Sequence, residues 1–254
     1  MRRIDLNADM GESFGLWRIG ADEALMPYIT SANVACGAHA GDPSVMWATV
    51  RLARWHGVAV GAHPGYADLQ GFGRRSIQMT PDEVAGLVLY QLGALWAIAR
   101  AEGVELRHVK PHGALYNSAS SDRQLAEAIA QAVWRFSTSL PLVCLADSQM
   151  ERAARDVGLP VAREGFADRA YEPTGLLASR STPGSLLSSP ADAASQAVGL
   201  ASGKVIARDG TELSLHVDTI CIHSDTPGAA EIARSVRAAL TGAGYEVSPF
   251  QLHG

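Results

Sequence analysis

Short apolar segments rich in valine and isoleucine recur along the chain, and longer stretches with helical apolar spacing separate them. Such short segments are typical of buried strands, and the roughly 10–20 residues between most of them are typical of helices. This alternation favours βα units around a parallel sheet. We therefore predict a parallel α/β fold with seven strands, at residues 4–6, 33–36, 58–62, 106–110, 142–145, 161–162 and 219–222.

Four helices have clear start signals, because a capping residue precedes a proline that suits the first helical position. These pairs are Asp42-Pro43, Thr80-Pro81, Ser189-Pro190 and Thr226-Pro227. Thr80 also has Glu83 three residues later, which is the spacing of a capping box. Gly57 and Gly103 are expected to end two of the helices.

Three further segments differ from this pattern. Residues 204–208 and 211–217 flank Asp209-Gly210, a two-residue turn signal, so we predict a small β-hairpin insertion near 204–217. The Ser/Thr/Pro-rich stretch 179–190 includes Leu186 and Leu187, which favour an ordered loop or a short helix. The helix at 80–102 is apolar on nearly every side and is either a core helix or covered by a second chain. No linker divides the chain, so we expect one domain over residues 1–254.

Composition restricts the class of protein. The chain has 254 residues with 21 basic and 26 acidic side chains, a net charge of −5 that disfavours nucleic acid and anionic membranes as partners. The longest apolar stretch, 86–99, is shorter than the roughly 20 residues of a membrane span. The amino-terminal residues lack the apolar region of a secretory signal, and three cysteines do not form a disulfide framework. We expect a soluble cytoplasmic protein with reduced thiols.

Polar residues follow the predicted strands, where parallel α/β folds carry their sites. His39, His63, His112 and His223 each come within about three residues of a strand's end, so they can converge, although each alone could simply bond a loop carbonyl. The alternation of a strand places Asp5, Asn7 and Asp9 on one face, with Glu12 in the following turn. A buried carboxylate is costly unless it meets a cation or takes part in acid–base chemistry. For Asp5, a structural ion pair inside the barrel and a functional role are equal alternatives.

Charged residues also follow the fourth and sixth strands. Lys110 and His112 supply a cation and a proton carrier, and Arg169, near Glu164 and Asp168, can anchor a charged small molecule. The same segment could instead hold Lys110 in place. Residues 71–75, which include Arg74, are typical of a flexible cationic lid or of a solvated loop.

Several common catalytic motifs are absent from the sequence. It contains no phosphate loop of the form GxxxxGK[ST], no GxSxG elbow, no HExxH and no paired CxxC. The chain therefore shows no sign of its own for ATP binding, serine hydrolase chemistry or a structural metal, and the cysteines are expected to be inert packing residues.

Long ordered motifs nevertheless resemble one family closely. The segments DLNADMGE at 5–12, NVACGAHAGD at 33–42 and GAHPGY at 61–66 resemble the LamB/YcsF family, the family of the A subunit of bacterial 5-oxoprolinase. The resemblance continues through 71–75, 109–116, 164–169 and 217–225, and so spans nearly the whole chain.

The resemblance implies a distorted (β/α)₇ barrel like that of the glycoside hydrolase and deacetylase superfamily. It also implies that the chain is one subunit of an enzyme that uses ATP to open the lactam of 5-oxo-L-proline to L-glutamate. In that enzyme the chain works with subunits B and C, and Mg²⁺ is expected to accompany the ATP. A homo-oligomer is compatible with the sequence. From residue chemistry we expect a base at Asp9 or Glu12 and stabilisation of charge on the lactam oxygen by Lys110 and His112. Expected substrate contacts are Asn7, His39, His63, Arg74, Glu164, Asp168 and Arg169.

Two alternatives remain open. One is a metal-dependent deacetylase or carbohydrate hydrolase, in which Asp9, His39 and His63 hold a divalent ion. The other is a non-catalytic subunit that only binds 5-oxoproline while its partners perform the chemistry.

Overall fold

A closed parallel barrel forms the centre of the computed structural model, which describes residues 2–226 and 228–251. The strands are β1 (Arg2–Met10), β2 (Ser31–Ala35), β3 (Ala59–His63), β4 (Leu106–Val109), β5 (Leu142–Leu145), β6 (Val161–Phe166), β7 (Lys204–Ile206), β8 (Glu212–Ser214), β9 (Thr219–Ile222) and β10 (Tyr245–Val247). Strands β1 to β6 follow one another around the barrel, and β9 closes it by pairing with both β6 and β1. This confirms the predicted seven-stranded barrel.

Helices cover the outside of the barrel. They are α1 (Asp22–Leu25), α2 (Pro43–His56), α3 (Pro81–Ala101), α4 (Gly113–Ser121), α5 (Arg123–Phe136), α6 (Gln149–Asp156), α7 (Pro190–Ala201) and α8 (Ala229–Gly242). A 3₁₀ turn at Met26–Tyr28 leads into β2, and β10 extends the sheet beside β1 on the outside of the barrel.

Three of the four predicted helix starts are confirmed. The side chains of Asp42, Thr80 and Ser189 each accept a hydrogen bond from a backbone amide in the first turn of α2, α3 and α7. Thr80 and Glu83 form the complete capping box. The fourth prediction is wrong: α8 begins at Ala229 with Gly228 as its N-cap, and Pro227 lies outside the described residues. The Thr226 hydroxyl instead lies 3.5 Å from the carboxylate of Asp168.

The predicted hairpin insertion is present, with a longer turn than expected. Strands β7 and β8 pair antiparallel. The Ala207 amide donates to the Thr211 carbonyl (2.8 Å), and the Gly210 amide donates to the Ala207 carbonyl (2.9 Å). Three residues therefore form the loop, with Gly210 at φ +91°, where a two-residue turn was predicted.

The stretch 179–189 is an ordered loop, and α7 begins directly after it at Pro190. Leu186 forms a β-bridge with Arg169, and the Leu187 amide donates to the Asp168 carbonyl at 2.9 Å. The loop is thereby fixed beside the end of β6.

Helix α3 packs on the barrel with one face and exposes the other. Val88, Leu92 and Leu95 are fully buried, whereas Tyr90 and Trp96 are exposed. Among the described helices, α3 is the one that is long and apolar enough to cross a membrane. Its buried face joins the core between α2 and α5, so α3 is a barrel helix; cover of its exposed face by a second chain stays a prediction.

Candidate functional site

Strand β1 sends three polar side chains into the barrel, as its alternation predicted. Asp5 lies nearest the amino ends of the strands and is completely buried. Its carboxylate accepts hydrogen bonds from the hydroxyls of Thr30, Ser31 and Thr219. The partners of Asp5 are thus hydroxyls, where an ion pair was one expectation, and burial raises its pKa to about 6.

Lys110 is the central cation of the barrel interior. Its ammonium lies 2.9 Å from Asp9 Oδ1, 2.8 Å from Glu164 Oε1 and 3.0 Å from Cys221 Sγ. Burial would lower the pKa of Lys110, but the groups around it, Asp9 foremost, outweigh burial and hold the pKa well above 10.5. A permanent positive charge is therefore fixed between two carboxylates, one of which, Glu164, lies within β6 near its carboxyl end.

Asp9 is the carboxylate at the carboxyl end of β1. Burial alone would raise its pKa, but His63 and Lys110 outweigh burial and hold the pKa of Asp9 well below 3.8. Asp9 Oδ1 also accepts a hydrogen bond from the Asn33 amide at 2.9 Å. Asp9 is consequently anionic and oriented by two donors.

Three of the post-strand histidines meet at Glu12, and we call these four residues the histidine cluster: Glu12, His39, His63 and His112. His63 Nε2 lies 2.9 Å from His112 Nδ1, which lies 3.3 Å from Glu12 Oε1. His39 Nε2 lies 3.7 Å from the same oxygen, and the His39 ring stacks on that of His112 with centroids 3.8 Å apart.

Burial shapes the protonation of this cluster. Burial, then the charge of Asp9, raises the pKa of Glu12 well above 4.5. Burial and the neighbouring rings lower the pKa values of His39 and His112 well below 6.5. His39 and His112 are thus neutral imidazoles, the form that binds metal ions.

The fourth histidine, His223, lies at the same end of the barrel but is held separately. Its Nδ1 is 2.9 Å from Asp168 Oδ1, and its ring stacks on Phe166. Burial tends to raise the pKa of Asp168, but His223 outweighs burial and lowers it below 3.8. Asp168 therefore orients His223.

A cavity of about 510 Å³ opens above these groups. Of the residues predicted for the site, its wall includes Asp9, Glu12, His63, Arg74, Lys110, His112 and Arg169. Four others lie one layer behind the wall: Asn7, His39, Glu164 and Asp168. These four were predicted to contact substrate, but their neighbours in the structure are the side chains that line the cavity, so they are placed to position those side chains.

Arg169 is the cavity's buried arginine. It is 3% exposed, one of its terminal nitrogens donates to the Ala178 carbonyl, and its Nε is buried without a hydrogen-bond partner. Burial and the nearby Arg180 lower its pKa to about 10, so it stays cationic at neutral pH. Asp168, its neighbour in sequence, is already occupied by His223. Arg169 is therefore positioned to receive an anion.

Residues 71–75 form a loop whose two arginines are exposed and both pair with carboxylates, which agrees with a solvated loop; movement of this loop as a lid stays a prediction. Arg74 forms an ion pair with Asp225 at 2.6 Å, and Arg75 forms one with Asp68. Gly73 has φ +63°, and a Cβ there would lie 2.8 Å from atoms of both His39 and His112. A glycine is thus required for this loop to close over the histidine cluster.

Sequence reasoning missed three groups in contact with the site. Tyr116 donates to Glu164 at 2.7 Å, the Asn33 amide bridges Asn7 and Asp9, and Cys221 contacts Lys110. Asn33 had a detectable signal, because it begins the predicted strand that follows β1, and the structure places it in register with Asp9. Tyr116 lies one helical turn after His112, but nothing in the sequence links it to Glu164.

Comparisons with known proteins agree with this architecture. The model of the LamB/YcsF family matches residues 4–253. A protein of Methylococcus capsulatus, named as the A subunit of 5-oxoprolinase, is 57% identical over 97% of this chain and 95% of its own length. One of the same name from Pyrococcus abyssi is 50% identical over 98% of both chains. The crystal structure of a lactam utilization protein from Thermus thermophilus superimposes with a TM-score of 0.93 at 52% identity, covering 98% of this chain and all of the other.

Proposed function

This chain belongs to the LamB/YcsF family, and from that premise we propose that it is the subunit of an ATP-dependent 5-oxoprolinase that holds 5-oxo-L-proline while its lactam is opened to L-glutamate. The observation that carries the proposal is a single cavity that contains both the unpaired cation Arg169 and the buried pair of Asp9 and Lys110. The substrate has matching parts, because its carboxylate suits Arg169 and its ring amide suits the acid–base pair.

The chemistry of the substrate explains the requirement for ATP. An unstrained five-membered lactam is a poor electrophile, and phosphorylation of its amide oxygen makes the ring carbon open to attack by water. The C–N bond then breaks, the nitrogen takes up protons as the amine of glutamate, and a second water releases phosphate from the acyl phosphate. One ATP and two waters give glutamate, ADP and phosphate, so atoms balance.

The cavity supplies groups for each of these needs. Asp9 is anionic and serves as the base for the attacking water, with Glu12 as the other carboxylate on the wall. Lys110 stabilises negative charge that develops on the lactam oxygen. His112, for which we expected the same role, is neutral and donates its Nε2 hydrogen to the Phe72 carbonyl, so Lys110 carries this role alone.

ATP, with Mg²⁺, is assigned to the assembled enzyme, because the sequence has no phosphate loop. The partners in this proposal are subunits B and C, and the compartment is the cytoplasm, where ATP is available and thiols stay reduced.

Reconstitution tests this assignment. The purified chain mixed with subunits B and C should show ATP hydrolysis that depends on 5-oxoproline, with glutamate formed in equal amount. The chain alone, or a mixture lacking any one of the three, should do neither. ATP-independent opening of 5-oxoproline by this chain alone would overturn the coupled mechanism and support the metal-dependent hydrolase.

Asp9→Asn tests the base. In the assembled enzyme, we expect turnover to fall by roughly 10²–10⁴, the range for loss of a proton-transfer group, while binding of 5-oxoproline to the chain is retained. Asp82→Asn, an exposed aspartate in the first turn of α3, is the matched control. Full activity of Asp9→Asn would move the base to Glu12. If Asp9→Asn and the other cavity variants raise the KM for 5-oxoproline but leave kcat unchanged, the chain is a binding subunit.

Arg169→Gln tests the carboxylate anchor. Loss of a charged hydrogen bond is worth about 1.5–3 kcal/mol, so the KM for 5-oxoproline should rise roughly 10–100-fold while kcat changes less. Arg135→Gln, on the exposed side of α5, is the control. An unchanged KM would remove Arg169 from substrate binding.

A further inference from the structure

The tautomers of two histidines in the histidine cluster are fixed by backbone carbonyls. His63 Nδ1 lies 2.7 Å from the Lys110 carbonyl, and His112 Nε2 lies 2.8 Å from the carbonyl of Phe72. A carbonyl oxygen only accepts hydrogen bonds, so each of these ring nitrogens carries the hydrogen. The two remaining ring nitrogens, His63 Nε2 and His112 Nδ1, face each other across 2.9 Å, and His63 Nε2 also lies 3.4 Å from Asp9 Oδ1.

Two further potential ligand groups converge on the same point. Glu12 Oε1 is buried without a hydrogen-bond partner and lies 3.3 Å from His112 Nδ1. His39 is 1% exposed, and neither of its ring nitrogens has a hydrogen-bond partner. The four ligand atoms lie within 4.8 Å of one another. Buried acceptors that face each other are unfavourable unless a positive charge lies between them.

We propose that Glu12, His39, His63 and His112 bind a divalent transition-metal ion of the Zn²⁺ type. Zinc bonds of about 2.0–2.1 Å in a tetrahedron place neighbouring ligands about 3.3 Å apart. The observed neighbouring distances of 2.9, 3.3 and 3.7 Å bracket this spacing. Imidazoles with one carboxylate favour zinc and its neighbours over Mg²⁺ or Ca²⁺.

The surroundings of the cluster have the features of a metal site. The carbonyls that fix His63 and His112 act as the outer partners that metal-binding histidines normally have. Gly65 supports His39, because a Cβ there would lie 2.6 Å from His39 Nδ1. The loops after β3 are therefore built to hold these rings in place.

This ligand set differs from the one expected by sequence, Asp9 with His39 and His63. Asp9 Oδ1 lies 3.4 Å from His63 Nε2, but the same oxygen is already bonded to Lys110 and to Asn33, both at 2.9 Å. A second group of potential ligands, Asp9 with Cys221 and His223, is less suitable. Cys221 contacts Lys110, and His223 is bonded to Asp168, so all three of its members already have partners.

The inference is independent of the lactam assignment, because metal binding is measured on the chain alone without ATP, substrate or the other subunits. Tag-free protein is equilibrated with Zn²⁺, desalted and analysed for metal, and a parallel sample is loaded with Co²⁺ for visible spectroscopy. We expect about one Zn²⁺ per chain, a four-coordinate Co²⁺ spectrum and a higher unfolding temperature with Zn²⁺.

Variants locate the ion. Glu12→Gln and His112→Asn should each lower the Zn²⁺ affinity at least roughly tenfold. His56→Gln, at the exposed end of α2, and His108→Gln, buried in the barrel outside the cluster, should bind Zn²⁺ as the unsubstituted chain does. His108→Gln also controls for the loss of a buried imidazole, so impaired folding of a cluster variant is recognised by comparison.

Three results would overturn the proposal. Zn²⁺ lost on desalting would show that a shared proton satisfies the facing nitrogens. Equal affinity of Glu12→Gln, His112→Asn and His56→Gln would place the ion elsewhere. A thiolate charge-transfer band in the Co²⁺ spectrum, removed by Cys221→Ala, would assign the ion to Cys221.

Discussion

The carboxyl group of Asp5 is an example of a buried acid held by neutral donors. Its three hydroxyl partners lower its pKa less than burial raises it, so the pKa stands at about 6. Because the folded-state pKa exceeds the ordinary value of 3.8, the folded chain binds the proton more tightly than the unfolded chain does. This contribution to stability is complete below pH 3.8 and is lost as the pH rises to about 6.

Asp5→Asn isolates this effect. The free energy of unfolding of the unsubstituted chain relative to Asp5→Asn should fall by roughly 2–3 kcal/mol between pH 4 and pH 7, measured by urea denaturation. The difference between the two chains cancels the other titrating groups. Asp209→Asn, in the exposed hairpin turn, should show no such trend across this interval. A flat difference for Asp5→Asn would mean that Asp5 is ionised throughout.

At this scale the sequence predicted which residues are polar and inward, but not which of them touch. Period-two alternation correctly placed Asp5, Asn7 and Asp9 on one face of β1. The contact between Tyr116 and Glu164 depends on how α4 leaves the barrel, and no local pattern contains that angle.

Among the helices and strands, two glycines occupy opposite environments. Gly61 in β3 lies against His108, because a Cβ there would be 2.1 Å from His108 Nε2. Gly93 in α3 has nothing within 4 Å of the position that a Cβ would occupy. The first glycine permits a close approach inside the barrel, whereas the second only weakens a helix.

Alanine substitutions at these positions should therefore have opposite signs. Gly93→Ala should stabilise the chain by about 0.5–1 kcal/mol through helix propensity. Gly61→Ala should destabilise it by roughly 2 kcal/mol or more through a buried clash. Urea midpoints measure both. If Gly93→Ala is destabilising, the exposed face of α3 is covered by a second chain, the alternative that the sequence left open.

Local signals were reliable where a side chain acts on its own turn. The capping box at Thr80 depends only on residues three apart, and it forms as predicted. The start signal at Thr226 is affected by a residue far away in sequence. The Thr226 hydroxyl lies near Asp168, 58 residues away, and α8 starts later, at Ala229. Long-range partners of this kind override local start signals.

In the molecule as a whole, β1 is the one among the described strands that pairs with three others. It pairs with β2, β9 and β10 along different parts of its length, and seven of its nine residues are buried. Within the described part of the chain, strands β7 and β8 pair only with each other, next to one bridge between Ala207 and Tyr171, and four of their six residues are exposed.

Hydrogen exchange should rank these segments. Amides of β1 are expected to exchange only by global unfolding, and those of the hairpin by local opening with a smaller free energy. Exchange mass spectrometry of the native chain measures both, with β3 as an internal reference within the barrel. Equal protection of the hairpin and β1 would show that the insertion unfolds only together with the barrel.

The pairing of β1 with β9 also determines when the protein can fold. Asp5 and Thr219, which are bonded across this junction, are 214 residues apart in sequence. During synthesis, the first strand must wait for almost all later strands before its second neighbour exists, and closing so long a loop is slow. Asp9, Lys110 and Cys221 meet only at that step. The environment of Lys110 is therefore complete only in the same event that completes the fold.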